Sequence, residues 1–271
     1  MEITFGAVPE TDDDQTRLML ADFCDVFSRR TGVRVRPHRS PSPGALAAAF
    51  GRGRVQLAWV SPTLFLLSEA FEAANPLVST VRSGRTRFHG VLFVRSDSAI
   101  RTISELRGRS VGWVAESSAA GYLMPRVALA NRGVDIDGLL GEQTFLQTHG
   151  AVVESVLSGR CDVGATFAVF EGGDNRRPLV RAGFEPTHAR VLLASEPIPA
   201  DLVVASPSIP AALLQKVREG LCQRTSDDRF WELCQALFGA EDYADFDPAP
   251  LHGLKDDLFL AQQRGEWNAT G

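Results

Sequence analysis

Polar and apolar positions alternate from Glu2 to Val8, predicting a first strand that Pro9 ends. The acidic run Asp12-Asp13-Asp14 suits the positive end of a helix dipole, so a helix opens there. Leu18, Leu20, Phe23, Val26 and Phe27 recur near helical spacing, and Thr31-Gly32 supplies a stop, so this helix runs to about Arg30. Val33-Arg34-Val35 predicts a second strand, Pro41 to Pro43 a turn, Ala45 to Phe50 a short helix and Val55 to Val60 a third strand. This alternation implies a parallel or mixed sheet flanked by helices. Ser61-Pro62-Thr63 follows the third strand and is a candidate contact loop, because ligands of open sheets sit beyond the carboxyl ends of strands.

The same rhythm returns after Phe88. It predicts a strand from Gly90 to Val94, a helix from Thr102 to Leu106 and a strand from Ser110 to Val114. The loop Ala115 to Ser118 then leads into a helix from Ala119 to Asn131, closed by Gly133. A strand at Gln143 to Leu146, a helix at Ala151 to Leu157 and a strand at Val163 to Phe167 complete the second half. The apolar run Ala189 to Ala194 crosses back through a proline-punctuated segment to helices at Ala211 to Cys222 and Asp228 to Leu237. Leu254, Leu258 and Leu260 mark a last helix, and Gly265 to Gly271 reads as a loose end.

A chain of 271 residues can bury a sizeable core. No stretch approaches the roughly 18 uninterrupted apolar residues of a membrane-spanning helix, so a soluble protein is expected. Met1 to Phe5 shows no basic segment leading into an apolar core. The expected location is therefore periplasmic or cell-surface if a leader has been removed, and cytoplasmic otherwise. Net charge is -5, and Lys216 and Lys255 are the only lysines, which argues against a general nucleic-acid binder. Arg82, Arg85 and Arg87 form the densest basic cluster and read as a solvated face. Cys24, Cys161, Cys222 and Cys234 lack paired spacing and read as buried thiols, Cys222 and Cys234 being the pair that packed helices could bring together. The five histidines are dispersed without metal-ligand spacing, and no nucleophile elbow, P-loop or zinc-protease motif occurs. No catalytic residue, metal or cofactor is expected.

Leu106-Arg107-Gly108-Arg109-Ser110-Val111-Gly112-Trp113-Val114, with Ser118 and Gly121-Tyr122-Leu123-Met124-Pro125, resembles the phosphate/phosphonate periplasmic-binding family of ABC-transporter solute receptors. Val55 to Pro62, Thr148 to Val153, Gly159 to Ala165 and Pro197 to Ala200 agree with it in order. The resemblance implies an α/β, two-lobed type II periplasmic-binding fold, each lobe a mixed sheet flanked by helices, joined by two crossing strands. Residues 1–86 with 196–271 are expected to form one lobe and 87–195 the other, closing by a hinge around a small, anionic ligand. An ABC-transporter permease is the implied partner, and a monomer is expected. A cytosolic ligand sensor or biosynthetic enzyme on the same scaffold is the competing class, since fold alone does not fix function.

Ser117-Ser118-Ala119-Ala120-Gly121 follows a strand and opens a helix, so unpaired backbone N–H groups and the helix dipole suit an anion there. Ser118 serves equally well as a simple helix cap, worth about 1 kcal/mol. Ala119 and Ala120 stand where the family carries further hydroxyls, and Phe65 and Phe88 where it tends to carry tyrosines. These departures imply a larger or less charged ligand than a bare phosphonate, its apolar body against Trp59, Phe65, Phe88 and Tyr122. His149 and Asp162 match further family positions, and Ser61 and Thr63 complete the expected contact set. Glu116 replaces a family proline and reads as either a solvated residue or a partner for a ligand amine.

Overall fold

A computed structural model describes residues 2–9, 13–173, 175, 179–223 and 228–263. Gly265 to Gly271, read from the sequence as a loose end, and Asp12 lie outside the described residues. The chain runs β1 (Glu2–Ala7), α1 (Asp14–Thr31), β2 (Arg34–Arg39), α2 (Pro43–Gly51), β3 (Leu57–Val60), α3 (Pro62–Leu67), β4 (Asn75–Val81) and β5 (Arg87–Arg95). It continues through β6 (Val111–Trp113), α4 (Met124–Ala130), α5 (Ile136–Leu139), β7 (Gln143–Phe145), α6 (His149–Leu157), β8 (Val163–Phe170) and β9 (Leu179–Ala182). Last come β10 (Ala189–Ala194), β11 (Ile198–Pro199), β12 (Leu202–Ala205), α7 (Ala211–Cys222), α8 (Asp228–Phe238), β13 (Asp242–Asp245) and α9 (Ala249–Gln263). Two compact units result, Met1–Thr86 with Ala200–Asp247 and Arg87–Pro199 with Pro248–Gly271.

In the first unit, β1 pairs in parallel with β2 and β3, and the sheet order is β13-β4-β12-β3-β1-β2. The Asp13 carboxylate caps α1 by accepting from Thr16 N at 2.7 Å, and Gly32 ends the helix at φ 68°, a left-handed geometry that suits glycine. Phe5, Phe23, Phe27, Phe230 and Phe238 pack into one aromatic core on one side of this sheet. A second core beneath α2, formed by Leu46, Phe50, Val55 and Phe71, covers the other side. β2 is longer than its apolar signal, which ends at Val35, because an edge strand tolerates Pro37 and outward arginines. β4, β12 and β13 pair antiparallel and had no distinct signature in the sequence.

In the second unit, the order β10-β5-β8-β6-β7 places β6 parallel to both β7 and β8, while β5 runs antiparallel to β8. Core clusters around Trp113, Leu106 and Leu129 on one side and Phe93, Val152 and Val156 on the other sandwich this sheet. The segment expected as a helix over Thr102 to Leu106 is a short 3-10 turn, Ile103–Leu106, held by a reciprocal Thr102–Glu105 capping box. α9, placed by the sequence reading in the first lobe with residues 196–271, packs instead on α4 and β11 through a buried Leu251-Leu254-Leu258 stripe.

Two chemical expectations change. All four cysteines are free thiols, so Cys222 and Cys234 form no disulfide. Arg82 is not part of a solvated face: its guanidinium donates to Asp201 Oδ2 at 2.5 Å and to the Phe238 carbonyl at 2.6 Å.

Candidate functional site

Pro125 shapes the loop after β6. A continuous α-helix from Ala119 would need an N–H at residue 125 to bond the Gly121 carbonyl, and proline has none. The chain responds with a π turn over Ala119–Leu123 ahead of α4, Leu123 N bonding the Ser118 carbonyl at 3.0 Å. The Gly121 carbonyl then accepts from Val114 N at 3.1 Å, which ties the helix start to the end of β6. Gly121 is required by space: a Cβ there would lie 2.3 Å from Val114 Cγ2.

Ser118 caps this turn, its hydroxyl accepting from Gly121 N at 3.1 Å. Among the described residues, no acceptor takes the Ala119 or Ala120 N–H. Ser117 and Glu116 are exposed, while Ala120 is buried. The arrangement offers unpaired donors and no further hydroxyl at positions 119 and 120.

The neighbouring loop, after β7, is bonded to this one. Leu146 N donates to the Trp113 carbonyl and Gln147 N to the Val114 carbonyl, both at 2.8 Å. Thr148 then caps α6, accepting from Ala151 N at 3.1 Å, so His149 begins that helix beside the Ser118 loop's strand. His149 Nδ1 lies 3.0 Å from the Thr166 hydroxyl, and its ring meets Phe167 edge-on with centroids 5.4 Å apart. Burial lowers the His149 pKa to about 4, so the imidazole is neutral at physiological pH.

Phe88 enters the same edge from β5. Because β5 runs antiparallel to β8, with His89 opposite Ala168, Phe88 lies at the carboxyl end of β8, where it is half-buried. Tyr122 turns into the unit's own core: its ring packs edge-on against Trp113 and Phe145, and the Arg126 guanidinium sits 5.2 Å from its centroid. Burial raises the Tyr122 pKa.

Asp162 stands apart from these residues. It precedes β8 and accepts from both the N–H and the hydroxyl of Ser110, each at 3.1 Å, at the amino ends of β6 and β8. That is the edge opposite Ser118 and His149. In the first unit, Ser61 caps α3 by accepting from Leu64 N at 3.2 Å, and its hydroxyl lies 3.1 Å from that of Thr63, which is buried. Phe65 packs 6.4 Å from Phe71 in the core beneath α2, and Trp59 lies tilted against Phe238 with centroids 5.3 Å apart.

The second unit thus gathers Ser117, Ser118, Ala119, Ala120, His149 and Phe88 along one sheet edge, with Thr166 and Phe167 added. Those two escape sequence reading because Val163 to Phe167 looks like plain core strand; the signal was a hydroxyl inside an apolar run. Among the described residues, no group of three or more His, Cys, Asp or Glu side chains could hold a metal ion.

A family model described as "ABC transporter, phosphonate, periplasmic substrate-binding protein" matches residues 5–250. The chain belongs to that family. Its members are substrate-binding components of transporters, not enzymes. The probable ABC transporter phosphite binding protein PhnD1 of Prochlorococcus marinus (strain MIT 9301) is 25% identical over 167 residues, 59% of this chain and 56% of that protein. The chain thus matches little more than half the length of this curated relative. Among solved structures, XAC2383 from Xanthomonas citri bound to ATP superposes with a TM-score of 0.75 at 23% identity, covering 97% of this chain and 98% of that one. PhnD1 from Prochlorococcus marinus in complex with methylphosphonate gives 0.70 at 16% identity, covering 96% and 98%. At these identities the structural likeness establishes the type II periplasmic-binding fold. No helix among the described residues is long and apolar enough to cross a membrane.

Proposed function

We propose that this chain is the periplasmic solute-binding component of an ABC-type uptake system for a compound bearing a phosphonate- or phosphate-like oxyanion. The observation that carries this reading is the pair of uncommitted N–H groups at Ala119 and Ala120, beside the neutral His149 imidazole. A helix start with unpaired donors favours an anion through both its hydrogen bonds and its dipole. Hinge closure captures the ligand and a membrane permease receives it, the chain acting as a monomer.

Its preference departs from that of simple phosphonate binders. A hydroxyl missing at each of positions 119 and 120 removes a bond to a charged group worth about 1.5–3 kcal/mol. Phe88 and Phe167 add apolar surface at the same edge. A ligand with an oxyanion head and an apolar body recovers through burial what the lost hydroxyls no longer supply. Asp162 is not included in this site.

A thermal-shift screen against phosphate, phosphite, methylphosphonate, phenylphosphonate and ATP tests the reading. A ligand at 100 times its dissociation constant stabilises by about 2.7 kcal/mol. The expected result is a clear shift with phenylphosphonate or ATP and little with phosphate. A tight methylphosphonate complex would count against the altered preference, and no shift with any of the five against the oxyanion class.

A further inference from the structure

β9 brings a cation to the edge just described. Arg181 stands opposite Val169 in the antiparallel β8–β9 pair, and directly opposed residues point to the same face of a sheet. Phe167, two residues before Val169, shares that face. So does Gly90, the partner of Phe167 on β5, and a Cβ at Gly90 would meet the Ala120 carbonyl at 2.9 Å and Pro125 Cδ at 2.8 Å. Arg181, Phe167 and the turn that follows Ser118 therefore occupy one face. The Arg181 guanidinium carbon lies 6.0 Å from the Phe167 ring centroid, and the same ring meets His149 edge-on at 5.4 Å.

The chemistry of the edge gives this cation a task. The Ser118 loop offers amide dipoles but carries the exposed carboxylate of Glu116, and His149 contributes no charge when neutral. A guanidinium beside an aromatic ring adds the full positive charge that the loop lacks, and its planar fork can bond two oxygens of an oxyanion at once.

We propose that Arg181 is a specificity-determining residue of this site: it pairs with the oxyanion of a phosphonate or phosphate monoester whose apolar body lies against Phe167 and Phe88. This rests on the oxyanion reading above. It extends that reading by assigning the counter-charge to β9, outside the segments that carry the family resemblance.

Calorimetric titration of the full chain with phenylphosphonate and methylphosphonate tests it, using wild type, Arg181→Gln, Arg181→Lys and Arg160→Gln. Arg160 pairs with Glu154 at 3.0 Å and precedes β8, so Arg160→Gln makes the same change in net charge at the opposite edge. The expected outcome is a roughly 10- to 100-fold weaker phenylphosphonate affinity in Arg181→Gln, partial recovery in Arg181→Lys and no change in Arg160→Gln. Equal weakening in Arg160→Gln and Arg181→Gln would reduce the effect to overall charge and overturn the assignment. Unchanged affinity in Arg181→Gln overturns it while leaving the oxyanion site standing. Absence of binding by wild type to either phosphonate removes both the assignment and the reading beneath it. Melting temperatures of the unliganded variants, taken alongside, separate a loss of folded protein from a loss of affinity.

Discussion

His149 and Thr166 are joined across the α6–β8 interface, imidazole Nδ1 to hydroxyl oxygen, at 3.0 Å. The bond holds the ring at the start of α6, and burial keeps it neutral. A histidine so placed acts as a hydrogen-bonding group rather than a charge, and its position depends on a threonine inside an otherwise apolar strand.

Acid sensitivity follows from this pair. The folded-state pKa near 4 lies below the ordinary 6.5, so the unfolded chain takes up the proton first as pH falls. The ring's contribution to stability is complete above about pH 6.5 and lost towards pH 4. His149→Gln is expected to lose roughly 1–2 kcal/mol less than wild type between pH 7 and 4.5, the ring's partial exposure included. Denaturant melts at both pH values measure the difference; equal losses would contradict the depressed pKa.

Gly121 is the tightest point of the Ser118 loop. Gly121→Ala places a methyl group 2.5 Å from Val114 Cβ, which costs about 1–3 kcal/mol and displaces the loop. Combining it with Val114→Ala is expected to return part of that loss, as a double-mutant cycle in chemical denaturation would show. Additive losses would mean that the two residues do not press on each other.

Much of this unit was legible in the sequence, and the exceptions have physical causes. Strand–helix alternation announced β6, β7, β8 and α6, because apolar runs and their glycine and proline punctuation are local signals. The π turn was hidden: Ala119 to Asn131 reads as one helix until Pro125 is asked where the Gly121 carbonyl finds a donor. Tyr122 is expected from the sequence to be part of the ligand's apolar wall and Asp162 to be a contact by its family position, yet one packs in the core beside Trp113 and the other joins Ser110. The Asp162–Ser110 contact depends on β6 pairing with β8, and the place of Tyr122 on β6 lying beside β7. Thr166, Phe167 and Arg181 were missed for the same reason: cross-strand register decides what they face.

Asp162 is expected to behave as a structural residue. Asp162→Ala removes its bonds to Ser110 and a long 4.0 Å ion pair with Arg109 at a partly exposed position. A loss of about 1 kcal/mol in stability is expected, with ligand affinity unchanged. A large affinity loss at unchanged stability would return Asp162 to the site.

α9 carries an opposing pH dependence. Burial, with Glu196 and then Asp256 adding repulsion, raises the Asp257 pKa above its ordinary 3.8. The favourable contribution is therefore present at low pH and lost as pH rises through the raised folded-state value. At pH 7, Asp257→Asn is expected to stabilise by a few tenths of a kcal/mol, an amount limited by solvent screening. Slower hydrogen exchange of α9 amides would register it; faster exchange would contradict the sign.

The most direct test of oxyanion binding at this sheet edge is an amide-resolved NMR titration of the protein with phenylphosphonate. The Ala119 and Ala120 N–H resonances are predicted to move downfield and saturate together with the His149 ring signals, while Asp162 and Ser110 stay still. Saturable shifts centred elsewhere, with Ala119 and Ala120 unmoved, would show that these amides do not receive the ligand.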